Sequence, residues 1–227
     1  MNQINHPLLL SIDTSSDICS VAISSINTLY IHYEINVKKY HDKLLAELTR
    51  RALNDLEINI ASIDAVAISS GPGSFTGLRI GASLAKALCI DEHPKLIAVP
   101  TLFAYSVAAE EIANLIGIKY IHSLISANSG IVYHQLYDNH SNKINEPEML
   151  KISDIIDFVN NNKNNNTDFY VGNAVEFLKN TELLKYSEIN TMDAVKISKA
   201  GWRLYNQGEF ADATNFEPMY IQDAIVK

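Results

Sequence analysis

Residues Ser70–Gly81 read SGPGSFTGLRIG, and the way this stretch must fold decides the architecture around it. Gly71 and Gly73 flank Pro72, so the chain can turn sharply after the apolar strand Val66–Ser69. Ser74 or Thr76 can then cap the helix predicted over Thr76–Cys89. A strand, a tight turn and a helix in that order either present backbone N–H groups to an anion or hold two elements in close contact. Beyond the turn, Gly77, Gly81, Ala85 and Cys89 recur every four residues and line small side chains along one helical face. That face predicts a close approach by another helix. Spacing excludes two nucleotide motifs. A phosphate-binding P-loop sets four residues between its glycines and continues Gly-Lys-Ser/Thr, whereas three residues separate Gly73 from Gly77 and Leu78-Arg79 follows. A dinucleotide fingerprint starting at Gly71 needs glycine where Thr76 stands.

Outward from the turn, the elements form an α/β pattern. Leu8–Asp13, Ile18–Ser24 and Thr28–Val37 read as a meander of three strands joined by polar turns, and His41–Leu56 carries Leu45, Leu48, Ala52 and Leu56 at helical spacing. Strand Leu96–Val99 and helix Thr101–Ile116 complete an alternation expected of a partly parallel sheet. After Gly117 the pattern restarts with strands Ile121–Ser126 and Ile131–Tyr137. Ile12 to Ile125 and Ile18 to Ile131 are both offsets of 113, so two hairpins and their polar turns superpose, as an internal duplication would leave them. Helix Ser153–Asn160, strand Phe169–Gly172, helix Ala174–Leu178 and helix Asp193–Tyr205 then read as a shortened second copy. The expected organisation is two related subdomains, residues 1–105 and 106–227, with the last residues able to return to the first.

Composition bounds the function. At 227 residues, 47% hydrophobic and 19% charged, the chain can bury one large core or two of roughly 100 residues each. No apolar run approaches the roughly 20 residues that cross a bilayer, and MNQINHPLLLSID lacks a basic segment and is interrupted by Asp13, so a first strand and a cytoplasmic location are expected. A net charge of −8 argues against an extended nucleic-acid surface on this chain. Cys19 and Cys89 fit small buried positions and no disulfide framework. Asn160–Asn166, broken only by Lys163, reads as a surface loop. The seven histidines stand at 6, 32, 41, 93, 122, 134 and 140, none three or four residues from another, so no helical metal pair is expected. His41, at a helix start, fits capping or packing.

A strand ending in Ile12-Asp13-Thr14-Ser15, a Tyr40-His41-Asp42 step, GPGSFTGLRIG and Val99-Pro100-Thr101-Leu102, in that order, resemble the TsaB family, also called YeaZ. The resemblance spans nearly the whole chain. It implies the actin-like (ribonuclease H-like) ATPase fold of the acetate kinase, sugar kinase, Hsp70 and actin superfamily, in which two related α/β halves meet at a nucleotide cleft. It further implies a part in making threonylcarbamoyladenosine beside the anticodon of tRNAs that read A-starting codons. The expected role is a non-catalytic scaffold for the related transferase TsaD, with the ATPase TsaE as a further partner, tRNA reached through the complex, and a homodimer when isolated. TsaD-like enzymes hold metal through a His-x-x-x-His helix and a distant Asp; this chain lacks that pair.

The same resemblance assigns residues. Asp13, Thr14 and Ser15 are the turn that would contact a nucleotide, ATP or ADP with Mg²⁺, although no cofactor is expected to be required and no metal or catalytic residue is assigned. Helices His41–Leu56 and Thr76–Cys89 are the elements by which family members pair, which makes Leu45, Leu48, Ala52, Gly73, Phe75, Thr76, Gly77, Arg79, Gly81 and Ala85 the expected partner interface, with Arg50 at the rim. Physically, the small face of the second helix would let a partner's backbone come close. The chain departs from the family at Ser126, Asn128 and Ile131, where charged residues are common, and at Pro218-Met219-Tyr220-Ile221-Gln222, where an Arg is missing. The alternative function is a nucleotide-binding small-molecule kinase or ATPase built on Asp13. A peptidase would need an activated nucleophile or a metal-bound water, and the sequence shows no such constellation.

Overall fold

The computed structural model describes residues 6–37, 41–90, 93–127, 130–161, 167–178 and 189–219. Tyr40, Asn128, residues 162–166 and residues 220–222, all singled out above, lie outside them. Two compact units divide the chain, Met1–Pro100 with Asp193–Pro218, and Thr101–Met192 with Met219–Lys227.

In the first unit, β1 (Leu9–Asp13), β2 (Ile18–Ser24), β3 (Leu29–Asn36), β4 (Ala65–Gly71) and β5 (Lys95–Pro100) form one sheet in the order β3-β2-β1-β4-β5. The meander is antiparallel, while β4 and β5 run parallel to β1. β1, β2 and β4 are buried throughout, so both faces of these strands must be covered. Helices α1 (His41–Asp55) and α2 (Phe75–Leu88) cover one face. Leu45, Leu48 and Ala52 of α1 and Ala82 and Ala85 of α2 join Leu10, Ile12, Val21, Ile23, Val66 and Ile68 in a single core. The opposite face is covered from far along the chain by α5 (Ala194–Gln207). Its Gly201 lies so near the sheet that a Cβ would stand 2.8 Å from the Ala67 Cβ. Serines of β2 pin it: the Ala194 N–H donates to Ser20 Oγ at 2.7 Å, and the Trp202 indole N–H donates to Ser24 Oγ at 2.9 Å.

The second unit repeats the start of the first with fewer strands. β6 (Tyr120–Ser126), β7 (Ile131–Asp138), β8 (Glu148–Lys151) and β9 (Asp168–Val171) are ordered β8-β7-β6-β9, with β9 parallel to β6. The order matches β3-β2-β1-β4, and the 113-residue offset carries β1 into β6 and β2 onto β7. Helices α3 (Thr101–Leu115) and α4 (Ile152–Asn161) pack on this sheet. Three expectations change. Helix 193–205 belongs to the first unit and not to the second copy, because its small and serine-binding face matches the β1–β2 surface. The short strand β8 was not expected, since four residues carry too little pattern to read. Residues Asn173–Leu178 form a 3-10 helix, tighter than the expected α-helix.

One contact sets the geometry of the first unit. The turn after β1 and the start of α2 meet backbone to backbone: the Ser74 N–H donates to the Ser15 carbonyl at 2.7 Å, and Ser74 Oγ caps α2 by accepting from the Gly77 N–H at 3.2 Å. A Cβ on Gly73 would sit 2.5 Å from Ser15 O, one on Gly77 2.0 Å from Thr14 O, and one on Gly81 2.5 Å from Thr14 Oγ1. No side chain fits at Gly77, because the opposing atom is a backbone oxygen that cannot move alone. Gly77→Ala should therefore cost about 3 kcal/mol or more, or prevent folding. Ser83→Ala, on the exposed side of the same helix, should stay within about 0.5 kcal/mol of the parent. Thermal melts of the two variants check this.

Candidate functional site

The turn that closes β1 gathers the three residues expected to meet a nucleotide, and the strand alternation splits them between the two faces. Thr14 points to the α2 side, where its Oγ1 occupies the notch left by Gly81. Asp13 points the other way, towards the N-cap of α5, where the Asp193 carboxylate accepts from the N–H groups of Val195 and Lys196 at 2.9 Å and pairs with the Lys196 ammonium. The Asp13 carboxylate accepts the Ser15 N–H at 3.1 Å and is fully enclosed, 0% exposed. Burial pushes its acid up from 3.8 to about 6, against hydrogen bonds from Ser15 and Ser69 that pull it back, with the Asp193 charge adding a smaller upward push. Asp13 Oδ2 and Thr14 Oγ1 have no hydrogen-bond partner among the described residues.

These orphaned oxygens are of the chemical type that orders Mg²⁺ and phosphate. As built, however, neither Asp13 nor Thr14 has exposed surface, and the Ser74 amide of the adjoining turn is spent on Ser15 O while the Gly77 amide of α2 is spent on its Ser74 cap. The residues do not fit a solvated magnesium nucleotide in this arrangement. In the second unit the equivalent strand end is handled without charge, since the Ser126 N–H donates to Asn173 Oδ1 at 2.7 Å. Ile131 opens β7.

The helix pair is arranged differently from the expected interface. Leu45, Leu48, Ala52, Gly77, Gly81 and Ala85 are all buried within their own unit. The small face of α2 is consumed by the Thr14–Ser15 turn and the core, so it cannot also receive a partner helix. Gly73 is held against Ser15 and is half-buried. What remains outward is Phe75, 53% exposed, with Thr76 and Arg79. The Arg79 guanidinium lies 3.9 Å over the Phe75 ring, a cation–π stack that presents one flat apolar and cationic surface. On α1, Arg50 is exposed and bonded to Glu47. His41 Nε2–H donates to Ile18 O, 3.3 Å away, as a packed residue at the helix start. Cys19 and Cys89 are buried, and burial pushes their thiols up to about 11 and about 12.

Linear spacing concealed one cluster. His122 of β6 and His134 of β7 lie diagonally across a hairpin in which Leu124 pairs with His134. Their rings approach with His122 Nδ1 3.1 Å from His134 Nε2, while His122 Nε2 is 3.0 Å from Asp168 Oδ1 and His134 Nδ1 is 2.9 Å from Glu148 Oε1. Facing residues in this hairpin sum to 258, and 122 plus 134 falls two short of that, the mark of a diagonal pair on one face.

The family model described as TsaD: tRNA N6-adenosine threonylcarbamoyltransferase matches residues 33–203. The chain is 32% identical over 136 residues to the tRNA threonylcarbamoyladenosine biosynthesis protein TsaB of Escherichia coli K12, covering 60% of this chain and 57% of that protein. It is 30% identical over 129 residues to the protein of the same name from Bacillus subtilis 168, covering 57% and 54%. It thus spans less than two thirds of the length of these curated relatives. The solved structure of YeaZ from Pseudomonas aeruginosa superposes with a TM-score of 0.76 at 20% identity, covering 95% of this chain and all of that one, which shows a shared fold.

The enclosed carboxylate yields a pH signature. Asp13 holds its proton more tightly folded, at about 6, than at its ordinary 3.8, so the fold loses stability as the pH rises between those values and stays level above them. Asn at this position keeps the acceptor for the Ser15 N–H and carries no charge. The stability difference between Asp13→Asn and the parent should therefore move by about 2 kcal/mol in the variant's favour from pH 4 to pH 8, read from urea melts at each pH. A flat difference would show that Asp13 does not titrate as described.

Proposed function

This chain belongs to the TsaD family, tRNA N6-adenosine threonylcarbamoyltransferase, and on that premise we propose that it is a non-catalytic partner and activator of a TsaD-like transferase in threonylcarbamoyladenosine modification of tRNA. The observation that carries this reading is the outward Phe75–Arg79 stack on α2. An exposed aromatic ring braced by an arginine, at the edge of a helix whose other face is locked into its own core, is the residue chemistry of an interface anchor. The enclosure of Asp13 supports a structural use of the residue that superfamily enzymes place beside phosphate, so the reading assigns no required cofactor to this chain. The absence of a His-x-x-x-His pair from the sequence supports placing the metal chemistry in the partner.

In this reading the heterodimer with the transferase is the working unit, a TsaE-like ATPase joins it, and tRNA is gripped mainly by the partner, in keeping with a net charge of −8 here. Pairing of two copies through the same helix face would occur in isolation. The place of action is the cytoplasm, where tRNA is modified, and no helix among the described residues is long and apolar enough to cross a membrane.

The test is reconstitution of threonylcarbamoyl transfer to tRNA with the cognate transferase, ATPase and adenylate synthase, with and without this chain, beside a pull-down of the transferase. Modification that depends on this chain is the expected result. Phe75→Ala should fold normally, weaken the pair about tenfold or more and lower modification at limiting protein. A transferase that works fully alone and does not bind this chain would overturn the reading. ATP turnover by the isolated chain would favour the kinase alternative.

A further inference from the structure

The Asp168–His122–His134–Glu148 chain crosses all four strands of the second sheet, β9, β6, β7 and β8, one residue from each. Its three contacts are 3.0, 3.1 and 2.9 Å long, all within hydrogen-bond reach. Each needs one hydrogen. Two ionised carboxylates bring none and two neutral imidazoles bring one each, so the neutral chain is one hydrogen short. If the outer nitrogens donate to the carboxylates, the inner His122 Nδ1 and His134 Nε2 face each other as two lone pairs. We propose that this quartet is a proton-binding site that holds one proton in excess of two neutral rings, shared between His122 and His134, and that this proton completes the bonding across the sheet.

The surroundings favour the proton over any other filler. His122 and His134 are buried, while Asp168 is mostly covered and Glu148 half-exposed. The outer carboxylates are braced, Asp168 by the Thr167 hydroxyl at 3.2 Å and Glu148 by the Asn145 amide at 3.0 Å, so they accept from both sides. His122 is stacked on Tyr170 at 4.5 Å and lies 5.8 Å from the Phe158 ring of α4. Burial pushes the Tyr170 phenol up, so it stays neutral. The charged residues of the packed elements, Asp154 and Asp157 of α4, Lys151 of β8 and Glu176 of the 3-10 helix, are exposed. Among the described residues, no cation other than an imidazolium lies between the two carboxylates. The His122 bond holds the Asp168 acid below its ordinary value. A further proton on the pair would set two N–H groups head to head. Accordingly burial, with the neighbouring His122, holds His134 below the ordinary range despite its Glu148 bond. The unfolded chain binds that further proton more readily than the folded one, so the second unit loses stability as the pH falls below about 6.5.

The excess proton is tested by nitrogen-15 NMR of the histidine rings in the full chain at pH 7.5. The expected spectrum shows one cationic ring's worth of protonation on the His122–His134 pair. Glu148→Gln supplies the missing hydrogen from its amide, so all three contacts close with neutral rings while the exposed Asn145 bond to the same position is given up to solvent. That variant should fold as the parent does and release the proton, losing at least about tenfold in imidazolium population at pH 7.5. Two neutral rings in the parent overturn the proposal. So does a Glu148→Gln variant that keeps its cationic ring, because the hydrogen count would then not be what holds the proton.

Discussion

The seating of α2 on the Thr14–Ser15 turn is the contact on which the first unit depends. Two backbone segments meet where ordinary chains leave room for side chains, and three glycines make that approach at Thr14 O, Thr14 Oγ1 and Ser15 O. Once this contact forms, the rotation of α2 about its axis is set. Its small face is turned inward, Ala82 and Ala85 enter the core with Leu45, Leu48 and Ala52, and Phe75 and Arg79 are forced outward. A surface feature and a core feature therefore have one cause. The same contact closes the α2 side of the strand end and leaves Asp13, one residue earlier, on the face that α5 covers.

The two units treat buried charge in opposite ways. In the first, Asp13 is enclosed with hydrogen bonds but no cation among the described residues, and the desolvation that follows raises its acid. The nearest charged group that bears on it is another carboxylate, Asp193, whose own charge is answered by the α5 N-terminus and Lys196. In the second, two carboxylates flank two imidazoles, and the shortage is one hydrogen instead of one counter-charge. The first arrangement is relieved by neutralising a carboxylate, the second by adding a proton to a base.

Much of this was legible in the residues. The glycine spacing announced a close approach, and the hairpin offset of 113 announced a repeated sheet start. The pattern could not say what the glycines approach. A small helical face fits a partner helix or a backbone turn equally well, and only the folded approach of Thr14 Oγ1 to Gly81 shows that Thr14 occupies the notch. Helix 194–207 was visible as a helix, yet amphipathicity carries no address, and the serines that hold it, Ser20 and Ser24, lie 174 and 178 positions away from Ala194 and Trp202. The histidine quartet escaped for a related reason. Metal and proton sites on helices repeat at three or four residues, whereas a hairpin brings together facing and diagonal positions far apart in number, and β8, which supplies Glu148, is only four residues long.

The duplicated sheet makes the differences between its copies informative. At matching strand ends the first unit has Asp13 and a glycine-built helix contact, and the second has Ser126 satisfied by the amide oxygen of Asn173. The second strand end carries no charge of its own, and its N–H is met by a neutral side chain from the following 3-10 helix. Asp13 is retained in the first copy at a desolvation cost that asparagine would avoid while keeping the Ser15 hydrogen bond. A fold built for stability alone would have no use for that charge. The first copy instead encloses the carboxylate on the face that α5 covers. That enclosure fits a protein whose proposed work is done by the outer side of α2.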